Sequence, residues 1–245
     1  MRGILTYHSI DSSRSPVSID ASAFRRHVDW LASGAVRVVP LSELVKLGDG
    51  QHALALTFDD AYANLAETAW PLLRERGLPA TVFVPTGRVG RDNSWGEQVE
   101  RGIPTLPLCS WDALGRMAAE GLEIGSHGVN HVRLAGLDAE LARAELQLSA
   151  ETLAERLGRA PRSFCYPYGS CDTRAAALAG EVYELAVTTE LRPLAPNDSY
   201  LRLPRLDAWY YRGNRRLESF GAPAFQRHLW LRASARRVRA RLSGA

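Results

Sequence analysis

Ala53-Leu54-Ala55-Leu56-Thr57-Phe58-Asp59-Asp60 is an apolar run that ends in two adjacent carboxylates. A run of this length bounded by polar residues reads as a buried strand, and carboxylates at its C-terminal end lie on the rim of an α/β sheet or barrel. Downstream, Leu122-Glu123-Ile124-Gly125 leads into Ser126-His127-Gly128-Val129-Asn130-His131. Two histidines three residues apart can face the same way, on a helical turn or on a strand-to-helix loop. Two neutral imidazoles and one carboxylate then make a three-ligand zinc site of the catalytic type, with the second Asp left over for proton transfer. Taken singly, an Asp pair after a strand serves equally as a helix cap or turn, and a lone His-x3-His is commonly surface decoration. Their conjunction carries the weight, because both motifs follow apolar segments and so end strands on the same kind of rim.

Around these two motifs the chain alternates strand-like and helix-like segments, which favours an α/β fold with a parallel sheet. The pattern predicts strands over Ile4–His8, Val36–Val39, Ala53–Phe58, Ala80–Val84, Leu122–Gly125, Ser163–Tyr166, Leu185–Thr188 and Arg202–Asp207. It predicts helices over Ser22–Ser33, Leu41–Leu47, Ala63–Arg76, Trp111–Glu120, Asp138–Leu157 and Thr173–Glu181. Ser110 and Asp138 are expected N-caps, and Gly77 and Gly158 expected helix stops. Residues 87–108 lack clear periodicity and are expected to border the mouth of the site, as long functional loops do.

Composition sets outer bounds. With 245 residues, 46% hydrophobic and 23% charged, the chain has the make-up of an ordinary globular protein with room for one barrel-sized domain. The net charge of +3 argues neither for nor against nucleic acid, and no nucleic-acid partner is expected. The three cysteines, Cys109, Cys165 and Cys171, form no CxxC pair, so neither a disulfide framework nor a thiolate zinc site is expected. Met1 leads straight into a strand pattern without the apolar core of a secretory signal, and no apolar stretch approaches a membrane span; a cytoplasmic location is the expectation.

Thr57-Phe58-Asp59-Asp60, Ser126-His127-x3-His131 and Phe164-Cys165-Tyr166-Pro167-Tyr168-Gly169 resemble, in order and spacing, the three leading motifs of the polysaccharide deacetylases, the NodB-homology group or carbohydrate esterase family 4. Leu5-Thr6-Tyr7-His8-Ser9-Ile10 and Pro79-Ala80-Thr81-Val82-Phe83-Val84-Pro85 extend the resemblance, which covers roughly residues 1–210. It implies a distorted (β/α)7 barrel over residues 1–213. It also implies a metal-dependent hydrolase that removes an N-acetyl or related acyl group from an amino-sugar-containing glycan or glycoconjugate. An amidase or deformylase of the same family and a non-catalytic glycan-binding relative stand as alternatives, with a metallophosphatase a weaker third.

By the same resemblance, Asp60, His127 and His131 hold one divalent metal, zinc first and Co2+, Ni2+ or Mn2+ next, and Asp59 is the base. The backbone N–H of Tyr168 is implied as donor to the oxyanion; Tyr166 and Pro167 are expected at the substrate, and Trp95, on its aromatic character alone, is expected to stack on a sugar face. Departures from the family pattern carry their own expectations. Cys165 stands where many members have an Arg beside the catalytic Asp, and Arg205 in Leu203-Pro204-Arg205-Leu206-Asp207 is the best substitute. Ala61 replaces a Gly, tolerable if its φ is negative. The late His of the family motif has no counterpart, since His228 sits in an Arg-rich context. His8, at the end of the first strand, is therefore the candidate general acid.

Residues 214–245 lie outside the resemblance and form an Arg-rich tail with a helical pattern. Arg215, Arg216, Arg227, Arg232, Arg236, Arg237, Arg239 and Arg241 face the single acid Glu218, with Phe225, Leu229, Trp230, Leu231 and Val238 interleaved. Such a helix either packs on the barrel by its apolar side or makes a peripheral contact with an anionic membrane.

Overall fold

A computed structural model of the chain describes residues 1–96, 98, 102–213 and 215–242, with backbone only over 239–242. In chain order its elements are β1 (Arg2–Tyr7), β2 (Ser9–Ile10), β3 (Ser18–Ile19), α1 (Ala21–Ala32), β4 (Arg37–Val38), α2 (Leu41–Leu44), β5 (Ala53–Phe58), α3 (Trp70–Glu75), β6 (Thr81–Val84), α4 (Trp111–Ala119), β7 (Glu123–Ser126), α5 (Ala139–Leu157), β8 (Ser163–Cys165), α6 (Thr173–Gly180), β9 (Leu185–Leu191), β10 (Leu203–Asp207) and α7 (Pro223–Leu242). Strands β1, β10, β9, β8, β7, β6 and β5 neighbour one another in that order, and β5 pairs back onto β1, so a 7-strand parallel barrel closes. Strand β4 pairs with the start of β5, and β2 with β3 in a separate ribbon.

Strand parity decides what lies inside. Ala53 and Ala55 of β5 share a cluster with Ile4, Phe83, Cys165, Val187 and Leu203. Leu54, Leu56 and Phe58 pack the other way, with Phe24, Leu65 and Trp70 of the helical layer. Burying each such large side chain contributes about 1.5–3 kcal/mol. Side chains alternate along a strand, so Thr57 and Asp59 follow Ala55 inward and Arg205 follows Leu203. The barrel interior therefore turns from apolar to polar at its C-terminal end.

The expected caps are in place. Ser110 accepts from the Ala113 N–H and Asp138 from the Glu140 and Leu141 N–H groups, while Gly158 ends α5 with φ 71°. One expected helix is not regular: residues Leu65–Ala69 form a π-helical turn before α3. Pro71 explains it, because a proline has no N–H to return to the carbonyl four residues back, and a widened turn absorbs the break. The β2–β3 ribbon was not expected, since two-residue strands leave no periodic signal.

Helix α7 does not stand apart from the barrel. Phe225 is buried and stacks on Tyr211 with ring centroids 4.9 Å apart, and Leu229 is buried in the same cluster. Trp230, Leu231 and Val238 remain exposed at 63%, 54% and 57%. Among the described residues no helix is long and apolar enough to cross a membrane.

Candidate metal centre and active site

Asp59 is the first residue past β5, and its N–H continues the ladder by donating to the Tyr7 carbonyl at 2.9 Å. Its carboxylate is 3% exposed and meets Arg205, which is 2% exposed, through two bonds of 2.7 Å each. Arg205 also donates to the Thr188 carbonyl and the Thr6 hydroxyl, each at 2.8 Å. Burial alone would raise the Asp59 carboxyl, but the charge and paired hydrogen bonds of Arg205 outweigh it and hold the pKa at about 2. Arg205 thus takes the place that the Cys165 position leaves open. The small thiol lies 3.2 Å from the Arg205 guanidinium, with its own pKa pushed up by burial.

Asp60 turns the opposite way because its backbone is left-handed, with φ 68°. Its Oδ1 lies 3.2 Å from His131 Nε2 and 3.5 Å from His127 Nε2, and all three side chains are buried. Burial would raise the Asp60 carboxyl, but the neighbouring imidazoles hold it well below the carboxylate range. His127 Nδ1 donates to the Cys165 carbonyl at 2.6 Å, a bond that fixes the tautomer and presents Nε2 as a lone-pair donor. Asp60 Oδ1 and His131 Nδ1 are buried without a hydrogen-bond partner among the described residues. One donor atom from each of the three residues can lie within 4.8 Å of the others.

These features fit a divalent metal held by one oxygen and two imidazole nitrogens. Asp59, His127 and Cys165 form a second grouping, their donor atoms also within 4.8 Å of one another. It is the weaker site, because Asp59 is already neutralised by Arg205 and the Cys165 thiol is not readily ionised.

His8 Nε2 lies 3.6 Å from Asp59 Oδ2, with the imidazole 24% exposed, so it is the histidine open to solvent beside the carboxylate pair. His228 instead bonds Arg216 from α7 at 2.9 Å. Tyr168 has φ 59° and is followed by Gly169 at φ 69°, where a Cβ would meet Thr189 Oγ1 at 2.1 Å. The loop therefore needs Gly at 169 and stores strain at 168.

Trp95 packs against His131 with ring centroids 4.6 Å apart and lines a pocket of about 470 Å³ with Tyr168 and His131. The stretch expected at the mouth thus reaches it at Trp95, Gly96 and Gln98; residues 97 and 99–101 lie outside the described residues.

Three expectations need correction. Tyr166, expected at the substrate, is fully buried, packs on Phe164 at 5.1 Å and donates to the Leu201 carbonyl. It braces the wall behind the loop. Pro167 is likewise buried and does not line the pocket. Ala61 has φ 57°, not a negative value, and carries a left-handed strain of about 1–2 kcal/mol. Its carbonyl accepts the Cys109 N–H at 2.8 Å, so the chain following the metal ligand is tied down in that conformation. Two pocket residues absent from the sequence reading, Arg88 and Arg133, also border the metal site. Arg133 follows His131 by two positions, the one signal that could have found it.

Residues 46–183 match the family model described as polysaccharide deacetylase. The chain belongs to the polysaccharide deacetylase family. Among relatives, YxkH of Bacillus subtilis (strain 168) is 26% identical over 193 residues, 76% of this chain and 64% of that one, so the chain spans under two thirds of its length. The poly-beta-1,6-N-acetyl-D-glucosamine N-deacetylase of Staphylococcus aureus (strain N315) is 24% identical over 203 residues, 77% of this chain and 67% of the other. Among solved structures, IcaB from Ammonifex degensii superposes with a TM-score of 0.74 at 25% identity, covering 85% of this chain and 93% of IcaB. The Streptococcus pyogenes deacetylase PplD in complex with acetate gives 0.70 at 21% identity, covering 84% and 91%.

Proposed function

We propose that this polysaccharide deacetylase family member hydrolyses the acetamido group of an amino sugar in a glycan or glycoconjugate, releasing acetate and a free amine. The observation that carries the reading is the pairing of two buried carboxylates with different partners. Asp60 faces two imidazoles, and Asp59 is kept ionised by Arg205. A glycan-binding protein has no use for the second arrangement. A two-metal phosphatase would need an independent second ligand set, and the alternative grouping shares His127 and has lost Asp59 to Arg205.

A divalent metal, zinc by its fit to two nitrogens and one oxygen, supplies polarisation of the acetyl carbonyl and an acidified water when bound at Asp60, His127 and His131. The remaining work falls to the chain itself. Asp59 accepts the proton as the water oxygen bonds to the carbonyl carbon, and Arg205 orients the carboxylate for it. The Tyr168 backbone N–H donates to the developing oxyanion, a contribution of roughly 3 kcal/mol where such donors are preorganised. His8 delivers a proton to the nitrogen as the C–N bond breaks. Trp95, packed against His131, forms part of the pocket wall.

The test is acetate release from a chitooligosaccharide and from N-acetylglucosamine-containing glycoconjugates, with and without chelator. Chelator-sensitive release is expected. Absence of release from every N-acetylated sugar by metal-loaded protein contradicts the reading.

A contact with an anionic membrane surface is supported by α7, where exposed Arg227, Trp230, Leu231 and Val238 recur at helical spacing on one side. Each Arg near such a surface contributes about 1 kcal/mol. Deleting the helix would expose core residues Phe225 and Leu229, so the test substitutes Trp230→Glu with Leu231→Glu. Vesicles containing phosphatidylserine should sediment the unaltered protein and not the variant; equal sedimentation of both removes the membrane contact.

A further inference from the structure

We infer that the pocket beside the metal centre selects an N-acetylated sugar bearing an anionic oxygen group, phosphoryl or carboxylate, on or next to the residue deacetylated. The inference rests on the deacetylase reading and specifies its substrate. Among the described residues, the charged side chains lining the pocket besides His131 are Arg88 and Arg133, and no Asp or Glu lines it. Neither guanidinium has a hydrogen bond or ion pair among the described residues. The carboxylate of Asp92, which feels the charge of Arg88, is committed to the backbone and side chain of Ser94.

Both guanidinium groups are held on aromatic faces. Arg133 lies 4.4 Å from the Tyr168 ring centroid and Arg88 5.9 Å from that of Trp95. Stacking leaves the in-plane N–H donors of an Arg available, in the fork that matches a phosphate or carboxylate.

A second, independent observation points to a ligand. Trp95 and Gln98 line the same pocket at 5% and 8% exposure, and Trp95 Nε1 and Gln98 Oε1 are buried without a hydrogen-bond partner among the described residues. Buried polar atoms of this kind are costly unless something meets them. A sugar ring with hydroxyls and an anionic group offers an acceptor to the indole and both guanidinium groups, and a donor to the amide oxygen. The charge also argues against the opposite substrate. A neighbouring glucosamine already stripped of its acetyl group carries an ammonium, which Arg88 and Arg133, without an ion pair among the described residues, repel. The pocket therefore suits a singly deacetylated, negatively flanked sugar better than a polymer of accumulating amines.

The experiment compares kcat/KM for acetate release from three substrates on the metal-loaded full chain: N-acetylglucosamine 1-phosphate, a glucuronyl–N-acetylglucosamine disaccharide and neutral N,N′-diacetylchitobiose. The wild type should prefer an anionic substrate by at least about tenfold, and which of the first two leads identifies the source of the charge. The Arg88→Gln/Arg133→Gln double variant should lose that preference through KM, and Arg88→Lys/Arg133→Lys should regain part of it. A wild-type ratio near one, or a preference that survives in the Gln pair, overturns the inference while leaving the deacetylase reading intact. If no substrate is turned over, the deacetylase reading fails by itself. The inference is then decided by calorimetric binding of N-acetylglucosamine 1-phosphate against N-acetylglucosamine, where the same tenfold preference and its loss in the Gln pair are expected and equal binding overturns it.

Discussion

Asp59→Asn should keep its metal and lose turnover by about 10²–10⁴-fold, the range that a positioned general base contributes. The amide preserves the shape of the carboxylate but accepts no proton at neutral pH. Metal content is expected to hold because Asp60, His127 and His131 are untouched, and the tautomer of His127 is set by the Cys165 carbonyl and not by Asp59. The substitution also leaves the buried Arg205 guanidinium without its counter-charge, so a stability loss of about 3–5 kcal/mol should accompany the kinetic one. Steady-state acetate release and elemental analysis on the same preparation separate the two effects. Near-normal turnover with full metal would remove Asp59 from the chemistry.

Arg205→Ala should be the most damaging substitution for the fold. Removing one partner of a buried ion pair leaves an uncompensated charge, at a cost of about 3–5 kcal/mol, which for a chain of this size lowers Tm on the order of 10 °C. The variant has one escape, protonation of Asp59, which relieves the burial cost and disables the base. Activity and stability should therefore fall together. The pH dependence follows with a definite sign. Asp59 has its pKa depressed from 3.8 to about 2 in the native state, so the stabilisation that the pair gives the wild type is complete above 3.8 and fades as pH falls toward 2. In Arg205→Ala that acid-side loss should disappear. The double change Arg205→Met with Asp59→Asn should recover much of the stability without recovering activity. Chemical denaturation of the wild type, Asp59→Asn, Arg205→Met and the double variant gives the cycle, and a single variant as stable as the wild type would show that the buried pair is not what braces the rim.

The central strand and its carboxylates were legible because an apolar run ending in Asp59 and Asp60 admits few placements, and period-two alternation puts one carboxylate inside. Arg205 was legible as a candidate only. A lone Arg in a strand pattern is ambiguous until closure of β10 against β1 brings it across the barrel, some 146 positions along the chain from its partner. The inward turn of Tyr166 was not legible, because Tyr166-Pro167-Tyr168-Gly169 leaves open which of the two tyrosines flanking Pro167 faces the cavity; the φ of 59° at Tyr168 settles that. The left-handed φ of Ala61 was hidden for a related reason, since Ala carries no signature of a conformation it adopts only under tertiary constraint. The pocket arginines were hard to single out, because Arg88 and Arg133 sit on separate connections and isolated charges there read as solvated, although one lies in the stretch expected at the mouth and the other two positions after His131.

Metal stoichiometry is the sharpest test of the account. Wild type and His127→Ala, each loaded with zinc, dialysed and assayed by elemental analysis, should contain about one metal per chain and almost none, respectively. Equal metal content in the two proteins would contradict the assignment of Asp60, His127 and His131 as the centre on which the chemistry is built.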